Sequence, residues 1–465
     1  MSSSDVSQTA AATASGALAD ITNEPFDRRL RDGIDQAGLD RVLARHRAYR
    51  QGWVGGVRAS LRLLDLSHLD FGSADLTDAD LSGARLFGAR MVGVTCNRAS
   101  LFAADFRLAD LSRADLTRAN LRGSCLRGAT ILGAVLADAD LRQGSLISAG
   151  DGGDSAGAVL PSELTCARLI GSDLSRAKVS NAFLMQTDLS DSVVRDVRFA
   201  KANLSGSNLS GCDLEFADFS EANLSRCDLT GAILSSAKVA GANFTETQLA
   251  GAVDDGVDWS GAHFHRAIGN QALAALRDDP ERVLADHAAW VGSDGKSGRR
   301  ADFSGYDLTS LQLDGRALSA ALLKSSRLAG VDLGRATLAI ADLSYADLRG
   351  ARLDHVDGRG ANLSRANLRD ARLVGANFAP VEIQSARPII WRADFTRARL
   401  EHANLSGGIF AWGRFDHANL TGANLAGVDF SDASLVDADF TGANLRGATL
   451  ARANLAGAIG IDRSG

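Results

Sequence analysis

Residues 104–123 read ADFRL-ADLSR-ADLTR-ANLRG. An apolar residue recurs at every fifth position, with Ala two residues before it and Asp or Asn in between. The same spacing extends over 61–146, 164–264, 303–383 and 390–455, where 68 of the 70 fifth positions are apolar. Because only 45% of the chain is apolar, this period predicts a repeat array.

A period of five excludes both regular secondary structures as the repeating unit. A helix turns about 100° per residue, so five residues would move the apolar stripe roughly 140° away from its own face. In a continuous strand, an odd spacing would place successive Leu side chains on opposite faces. The chain must therefore run extended for a few residues, turn a corner and coil around its own Leu column. The Asp or Asn then faces outward, where it can bond to local main chain.

Units such as ADLSG at 79–83 and ANLAG at 423–427 resemble the pentapeptide-repeat family. The resemblance extends over most of the chain. It implies an all-β solenoid fold, with two right-handed quadrilateral β-helices of four pentapeptides per coil. Short helical caps and a helical linker would complete this architecture.

Two segments outside the repeat, 23–58 and 267–300, have helical spacing of apolar residues. They also resemble each other, because RVLARH at 41–46 corresponds to RVLADH at 282–287. Each would cover the open first coil of the tower that follows it. The predicted domains are a disordered leader at 1–22, a helical cap at 23–58, a first tower at 59–266 with a loop at 147–163, a helical linker at 267–300, a second tower at 301–457 with a break at 384–389, and a tail at 458–465.

Composition limits the classes of function. Lys and Arg number 50 against 56 Asp and Glu, a formal charge of −6, so direct nucleic-acid binding is not expected. No run of 18 apolar residues and no secretory signal is apparent, so we expect a cytoplasmic protein without a membrane span. Among five cysteines there is no CxxC pair, and Cys96, Cys212 and Cys227 occupy inward positions. These patterns favour reduced, structural thiols.

The motifs give little support to an enzyme. GDSAG at 153–157 fits the GxSxG pattern, but the strand before Ser155 and the helix after it that such a nucleophile requires are not predicted. His46 and His287 recur in the two helical segments without other ligands at metal spacing. We therefore expect these histidines to pack within the caps, and we expect no cofactor or metal. A hydrolase carried by the loop is the weakest of three alternatives.

The favoured function is a non-enzymatic scaffold that binds other proteins, although the sequence does not identify the partner. The second alternative comes from the resemblance, because some pentapeptide-repeat proteins, including fluoroquinolone-resistance members, mimic duplex DNA and bind DNA gyrase. Such mimicry requires a continuous acidic surface. Only residues 205–258 approach it, with nine acidic residues against Arg226 and Lys238.

Residues 85–127 are basic, with eight Arg against three Asp. Coils of 20 residues would stack Arg98 on Arg118 and Arg107 on Arg127. Stacked like charges are mildly unfavourable unless they are screened by solvent or neutralised. This predicts either a solvated basic surface or an anionic partner.

Basic and aromatic residues gather near the second interruption of the repeat. The 20-residue coil places Arg392 against Trp412 and Arg397 against His417. Exposed Trp and Arg are enriched in interface hot spots, so a partner-binding patch is expected here; alternatively, Trp412 only covers a distorted corner. The candidate residues are Arg387, Trp391, Arg392, Arg397, Trp412, Arg414 and His417.

The last predicted coil lacks a helix to cover it, because the Gly-rich segment after Leu455 is too short for a stable one. An open coil exposes main-chain groups beside an apolar column. We expect a homodimer joined at this end, as the resemblance also implies; alternatively, residues 458–465 fold back as a plug. The candidate interface residues are Leu450, Leu455, Ile459 and Ile461.

Overall fold

The computed structural model of the protein describes residues 33–146, 158–383 and 389–461. They divide into two compact units with the main boundary between Ala267 and Ile268, and each unit contains a helical segment followed by a repeat tower. The named elements in chain order are α1 (Gln36–Arg50), β1 (Gly144–Leu146), β2 (Ala158–Leu160), a 3₁₀ turn (Leu273–Ala275), α2 (Pro280–Gly292), β3 (Val381–Ile383) and β4 (Ile389–Trp391).

Each tower is a stack of 20-residue coils. Parallel β-bridges join residues 20 apart, as in the series Asp80, Ser100 and Asn120 of the first tower. The bridges recur every five residues, so each coil has four short extended sides. The Leu81 N–H donates to the Ser100 carbonyl at 2.8 Å, and this pattern repeats from coil to coil. The sheet-like hydrogen bonds therefore run along the tower.

The interior is filled by the apolar residue of each pentapeptide and by the small residue two positions before it. Leu81, Leu101 and Leu121 are fully buried, as are Ala79 and Ala99. In the second unit, phenylalanine replaces leucine over several coils, and the Phe395 and Phe415 rings stack at 4.6 Å. Burial of a large apolar side chain contributes about 1.5–3 kcal/mol. The inward column predicted by the five-residue period is therefore the core.

The Asp or Asn of each pentapeptide fixes the corner that follows it. Asp80 Oδ1 accepts from the Ser82 N–H at 3.0 Å and from the Ser82 hydroxyl at 2.6 Å. Equivalent bonds recur throughout both towers, which confirms the predicted local role of these side chains. Asparagines in register also bond to one another between coils, as where Asn424 Nδ2 donates to Asn404 Oδ1 at 3.1 Å.

Each corner is a four-residue turn closed by a main-chain bond, such as the Ala84 N–H to the Leu81 carbonyl at 3.0 Å. Its third residue has positive φ, a conformation that glycine adopts without strain. Gly375 shows a second reason for glycine, because a Cβ there would lie 2.7 Å from Nδ1 of His355. Gly350 has the same backbone conformation, with φ +61°, but open space around it.

Both interruptions of the repeat form short antiparallel β-hairpins. Strands β1 and β2 pair in the first, and β3 and β4 pair in the second. The predicted boundaries need correction. Glu163, which was assigned to the first loop, already bridges Cys125 and Phe183 in the tower. Ile390, assigned to the inward stripe, lies in β4 and is 48% exposed. Ile390 leaves the coil because the two strands of the hairpin satisfy each other's main-chain groups.

The two helices begin at aspartate caps. Asp35 accepts from the Gly38 N–H at 2.7 Å at the start of α1, and Asp279 accepts from the Arg282 N–H at 3.2 Å beside Pro280. Such caps satisfy N–H groups that have no partner inside the helix. Both helices are shorter than the predicted helical segments. The first segment leaves the helix at residues 51–58, which include Gly52 at φ +68°.

Each helix closes the first coil of its tower through a histidine. His46 Nδ1 accepts from the Ala59 N–H at 3.0 Å, and His287 Nδ1 accepts from the Ala301 N–H at 3.1 Å. Both imidazoles are fully buried. The structure shows the packing role expected for these histidines. The two segments that resemble each other in sequence also make the same histidine contact with the first residue of their towers.

The two capped ends share further contacts. Each imidazole stacks on an aromatic ring three residues later, His46 on Tyr49 at 5.8 Å and His287 on Trp290 at 5.7 Å. An arginine next to each first tower residue, Arg58 or Arg300, donates to a main-chain carbonyl one coil further on. In the first cap, the Gln36 amide also pairs with both main-chain groups of Asp70. The caps thus satisfy main-chain groups that the first coil would otherwise leave open.

Candidate partner-binding site

The second hairpin seats a tryptophan against the tower. A Cβ added to Gly360 would lie 3.0 Å from Trp391 Cδ1 and 3.2 Å from Ile340 Cγ2. The indole and Ile340 therefore flank a position where a larger residue would crowd them, and this position also has φ +66°. Trp391 nevertheless remains 49% exposed. Part of this side chain is fixed against the tower while the rest faces solvent.

A second tryptophan lies on the corner of the next coil. The Arg392 guanidinium carbon is 5.1 Å from the centre of the Trp412 ring, in the pairing that the 20-residue coil predicts. Trp412 is 37% exposed and has φ +64°. This backbone region is unfavourable for a bulky side chain, so Trp412 sits in a strained turn that most other corners fill with smaller or polar residues.

The exposed large apolar side chains of the second tower concentrate at this place. Within the described part of 301–457, all five side chains of this kind belong to it. Arg392 lies among them. We call this surface the Trp corner and define it by Ile340, Ile390, Trp391, Arg392, Ile409 and Trp412. Exposed apolar side chains gathered in one region are typical of an interaction site.

The other predicted patch residues lie outside the Trp corner. Arg414 is 3.4 Å from Asp394, and His417 Nδ1 is 3.7 Å from Asp437 Oδ2, each pair joining two adjacent coils. Arg397 occupies the same corner as His417, one coil earlier. Arg387 lies outside the described residues. The patch as predicted from the sequence therefore contains residues engaged in structural pairs as well as those of the Trp corner.

Sequence reasoning missed Ile340, Ile390 and Ile409. For Ile409 a signal was present, because it occupies the outward position that the repeat usually fills with Asp or Asn. Ile340 could not be placed near Trp412 from the sequence. The two residues share a corner only when the residues inserted by the hairpin are left out of the 20-residue count.

Arg98 and Arg118 lie in register between neighbouring coils, but most arginines of the basic segment also lie near carboxylates. Arg98 makes two bonds to Asp78, at 2.8 and 2.9 Å. Arg107 is 9% exposed and makes two bonds of 2.9 Å to Asp105. Pairs of this geometry fix side chains to the tower. They weaken the argument for an anionic partner at this surface.

The predicted interface residues belong to the last described coil. Leu450, Leu455 and Ile461 are half-buried, and Ile459 is 56% exposed. In the preceding coil Phe440 is fully buried. The apolar column thus becomes more exposed toward this end of the described chain, while residues 462–465 of the predicted plug lie outside the described residues.

Few described residues offer reactive chemistry. Burial raises the pKa of the Cys96 thiol to about 12, so this thiol stays protonated. Within the described ranges, no group of three or more His, Cys, Asp or Glu side chains could hold a metal ion. Ser155, the residue of the GxSxG pattern, falls outside those ranges. No helix among the described residues is long and apolar enough to cross a membrane.

Comparison with protein families gives a direct match. The profile described as pentapeptide repeats matches residues 57–93, 95–131, 114–149, 162–191, 195–235, 317–354, 341–378, 393–432, 414–451 and 433–459. These segments make up more than half of the chain. The chain belongs to the pentapeptide-repeat family. The resemblance seen in the sequence is thereby confirmed.

Solved structures similar to this pentapeptide-repeat protein include several repeat proteins. Full-length QnrB1, a plasmid-mediated fluoroquinolone resistance protein, is 23% identical, with 43% of this chain and 84% of that chain covered and a TM-score of 0.21. HetL of the cyanobacterium Nostoc sp. strain PCC 7120, involved in heterocyst differentiation regulation, is 22% identical, with 89% and 94% covered and a TM-score of 0.16. A pentapeptide-repeat protein of the Arabidopsis thaliana thylakoid lumen is 27% identical, with 27% and 74% covered and a TM-score of 0.16. No curated protein sequence matches the chain significantly.

Proposed function

We propose that this pentapeptide-repeat protein is a non-enzymatic scaffold whose second tower binds another protein through the Trp corner. The observation that carries the proposal is the concentration of exposed Trp and Ile side chains around Arg392 on an otherwise polar surface. Trp and Arg are the residues that most often dominate binding energy at interfaces. A coil of right-handed, quadrilateral form, as the family resemblance implies, is part of this proposal.

The proposal includes a cytoplasmic location. The buried Cys212 and Cys227 thiols donate to main-chain carbonyls at 2.9 and 3.0 Å. These bonds use the thiol hydrogens, which supports reduced cysteines with a structural role. A reducing compartment would preserve them.

The test compares the partners captured by the full chain and by variants of the Trp corner. Trp391→Thr suits a strand and Trp412→Asn suits a turn with positive φ, so the double variant is expected to keep its fold. Trp53→Ser is the matched control, because Trp53 is 63% exposed in the first unit. Each chain is used to capture proteins from an extract of the source cells, and the captured proteins are quantified by mass spectrometry. At least one protein should be recovered about tenfold less with the double variant than with the wild type, and equally with Trp53→Ser and the wild type. Equal recovery with all three chains would refute the proposed site.

The DNA-mimic alternative has a separate test. Carboxylates of the 205–258 segment are partly paired, for example Glu246 with Arg226 at 3.0 Å and Asp213 with Arg195 at 2.6 Å. Pairing reduces the continuous negative surface that mimicry requires. Inhibition of gyrase-dependent DNA supercoiling by the purified chain would favour this alternative over the scaffold.

A further inference from the structure

We propose that the partner segment held by the Trp corner is a short apolar peptide that carries an acidic side chain. This inference rests on the proposed function and adds the chemistry of the partner. Three features of the surface support it: its length along the tower, the fixed position of Trp391, and the positive charge of Arg392.

The Trp corner is a narrow strip across successive coils. Bridges join Asp342 to Asn362, Asn362 to Asp394 and Asp394 to Arg414. The residues two positions before these four, at 340, 360, 392 and 412, therefore share one corner of four successive coils. At ~4.8 Å per coil, the strip is about 14 Å long. Four to five residues of an extended peptide span this distance at about 3.3 Å per residue.

The apolar part of the strip is already in place for binding. Trp391 and Ile340 lie beside Gly360 in the free chain, which limits the positions open to both side chains before a partner arrives. Trp412 is held from the other side by the Arg392 guanidinium. Because side chains fixed in advance lose little freedom on binding, a small contact area can still give useful affinity.

Arg392 supplies the charge preference. Within the described ranges no carboxylate lies at salt-bridge distance from its guanidinium, whereas Arg414 on the next side pairs with Asp394. From 382 to 401 the sequence contains four Arg and three acidic residues, and the acidic residue Glu401 is paired with Arg399. A guanidinium that lies over a ring still presents N–H donors at its edge, and a carboxylate can accept two of them. An acidic side chain beside the apolar contacts fits this arrangement.

A second copy of the same surface fits less well. In a two-fold contact between identical Trp corners, Arg392 of each chain would face a positively charged surface. A basic peptide would meet the same repulsion. These occupants are therefore outcomes that the experiment must be able to detect.

The experiment selects peptides with the full-length protein. A phage library of random 12-residue peptides is panned on the wild-type chain after depletion on the Trp391→Thr, Trp412→Asn double variant. Enriched peptides should combine Leu, Ile, Phe or Trp with at least one Asp or Glu. Selection of basic or uncharged sequences, or no enrichment above the double variant, would overturn the inference.

Binding of the most enriched peptide, labelled with fluorescein, is then measured by polarisation. Arg392→Gln should weaken binding about tenfold and Arg392→Lys by less, because a Lys keeps the charge but loses the planar fork. Replacing the peptide's acidic residue by its amide should have a similar effect, and Trp53→Ser should have none. An unchanged Kd for Arg392→Gln would contradict the inference. So would self-association through the Trp corner, seen in light scattering as a concentration-dependent mass that the Trp391→Thr, Trp412→Asn double variant abolishes.

The two proposals can fail separately. If the capture experiment identifies a protein lost with the double variant, but its binding segment has no acidic residue and does not respond to Arg392→Gln, only the present inference is wrong. If neither capture nor panning depends on Trp391 and Trp412, the Trp corner is not a binding site.

Discussion

Replacing His46 or His287 by phenylalanine removes one hydrogen-bond acceptor from a helical cap while keeping an aromatic ring there. The Ala59 N–H then loses its partner in the first cap, and the Ala301 N–H loses its partner in the second. Ala59 is 2% exposed and Ala301 is 1% exposed, so water cannot replace the imidazole. The expected result is a cap that opens more often.

The size of the effect follows from the cost of an unpaired buried donor. That cost is about 1–3 kcal/mol, which corresponds to roughly five- to 150-fold in the opening equilibrium. Phenylalanine keeps a ring beside Tyr49 or Trp290 and also removes the buried imidazole Nε2, which makes no hydrogen bond, so the expected cost lies toward the lower end of this range. His417→Phe is the matched control, because the His417 side chain is 46% exposed.

Acid should have the same effect on the wild-type caps. Burial lowers the pKa of His46, with smaller opposing effects of Asp75 and the Thr77 main chain and added lowering by Arg50 and Arg58. Burial also lowers the pKa of His287; Arg300 lowers it further, and the Ser319 main chain opposes the shift. The folded caps therefore bind fewer protons than the unfolded chain. This stability is fully present above about pH 6.5 and is lost as the pH falls below that value toward and through the folded-state pKa.

Hydrogen exchange with mass spectrometry measures the caps separately. Protection factors, corrected for intrinsic exchange, are compared for peptides covering α1 and α2 at about pH 7.5 and about pH 5.5, a window above the ordinary carboxylate range. The wild type should lose protection at the lower pH, and each Phe variant should be poorly protected at both. Equal protection of wild type and His46→Phe in α1, or no pH effect in the wild type, would refute the role of the histidine acceptor.

Three further predictions concern the towers. Gly375→Ala should destabilise the second tower more than Gly350→Ala. Both variants acquire the same backbone strain, but only the new Cβ at Gly375 meets a histidine ring. The difference between their urea midpoints measures the effect of that contact. Arg107→Ala should cost about 3–5 kcal/mol by leaving the buried Asp105 carboxylate without its partner, and equal urea midpoints for variant and wild type would contradict this. If the chain dimerises at its last coil, light scattering should show twice the chain mass for the wild type and a monomer mass for Ile459→Asp.

Much of the fold could be predicted because the pentapeptide assigns one role to each position. Leu81 is inward, Asp80 binds the following N–H, and Gly83 takes the positive φ of the corner. These roles depend on neighbouring residues and on the period alone. The duplicated caps were also recognisable, since the two histidines recur 13 and 14 residues before the first residue of their towers.

The hairpins and the Trp corner were less accessible. Ile383 and Ile390 have the spacing of inward residues, yet β3 and β4 remove them from the coil. Their pairing depends on which strands can satisfy each other across a 12-residue insertion, and the period carries no information about that choice. The contact of Trp391 with Gly360 likewise depends on the insertion, because it joins positions that are not a multiple of 20 apart.

The Trp corner departs from the repeat in ways that should lower stability. Ile409 replaces the usual Asp or Asn, so it cannot accept from the main-chain N–H two residues later. Trp412 occupies a positive φ that a bulky residue enters at a cost of about 1 kcal/mol or more. Each change also occurs elsewhere, as with Phe183 at the outward position and Phe216 at positive φ, but the pentapeptide of Ile409 and Trp412 combines both, and local strain is common at functional sites.

This reasoning gives a prediction that separates binding from stability. Ile409→Asn restores the hydrogen-bond acceptor, and Trp412→Gly relieves the backbone conformation. Together they should raise the unfolding free energy of the second tower by about 1–2 kcal/mol, seen as a higher urea midpoint. Peptide binding at the Trp corner should fall at least tenfold. Gly427 serves as a matched site, because it already has a relaxed positive φ in a neighbouring corner; Gly427→Trp should lower stability without creating binding. A destabilised Ile409→Asn, Trp412→Gly variant would show that these side chains support the tower instead, and would remove the argument from local strain to function.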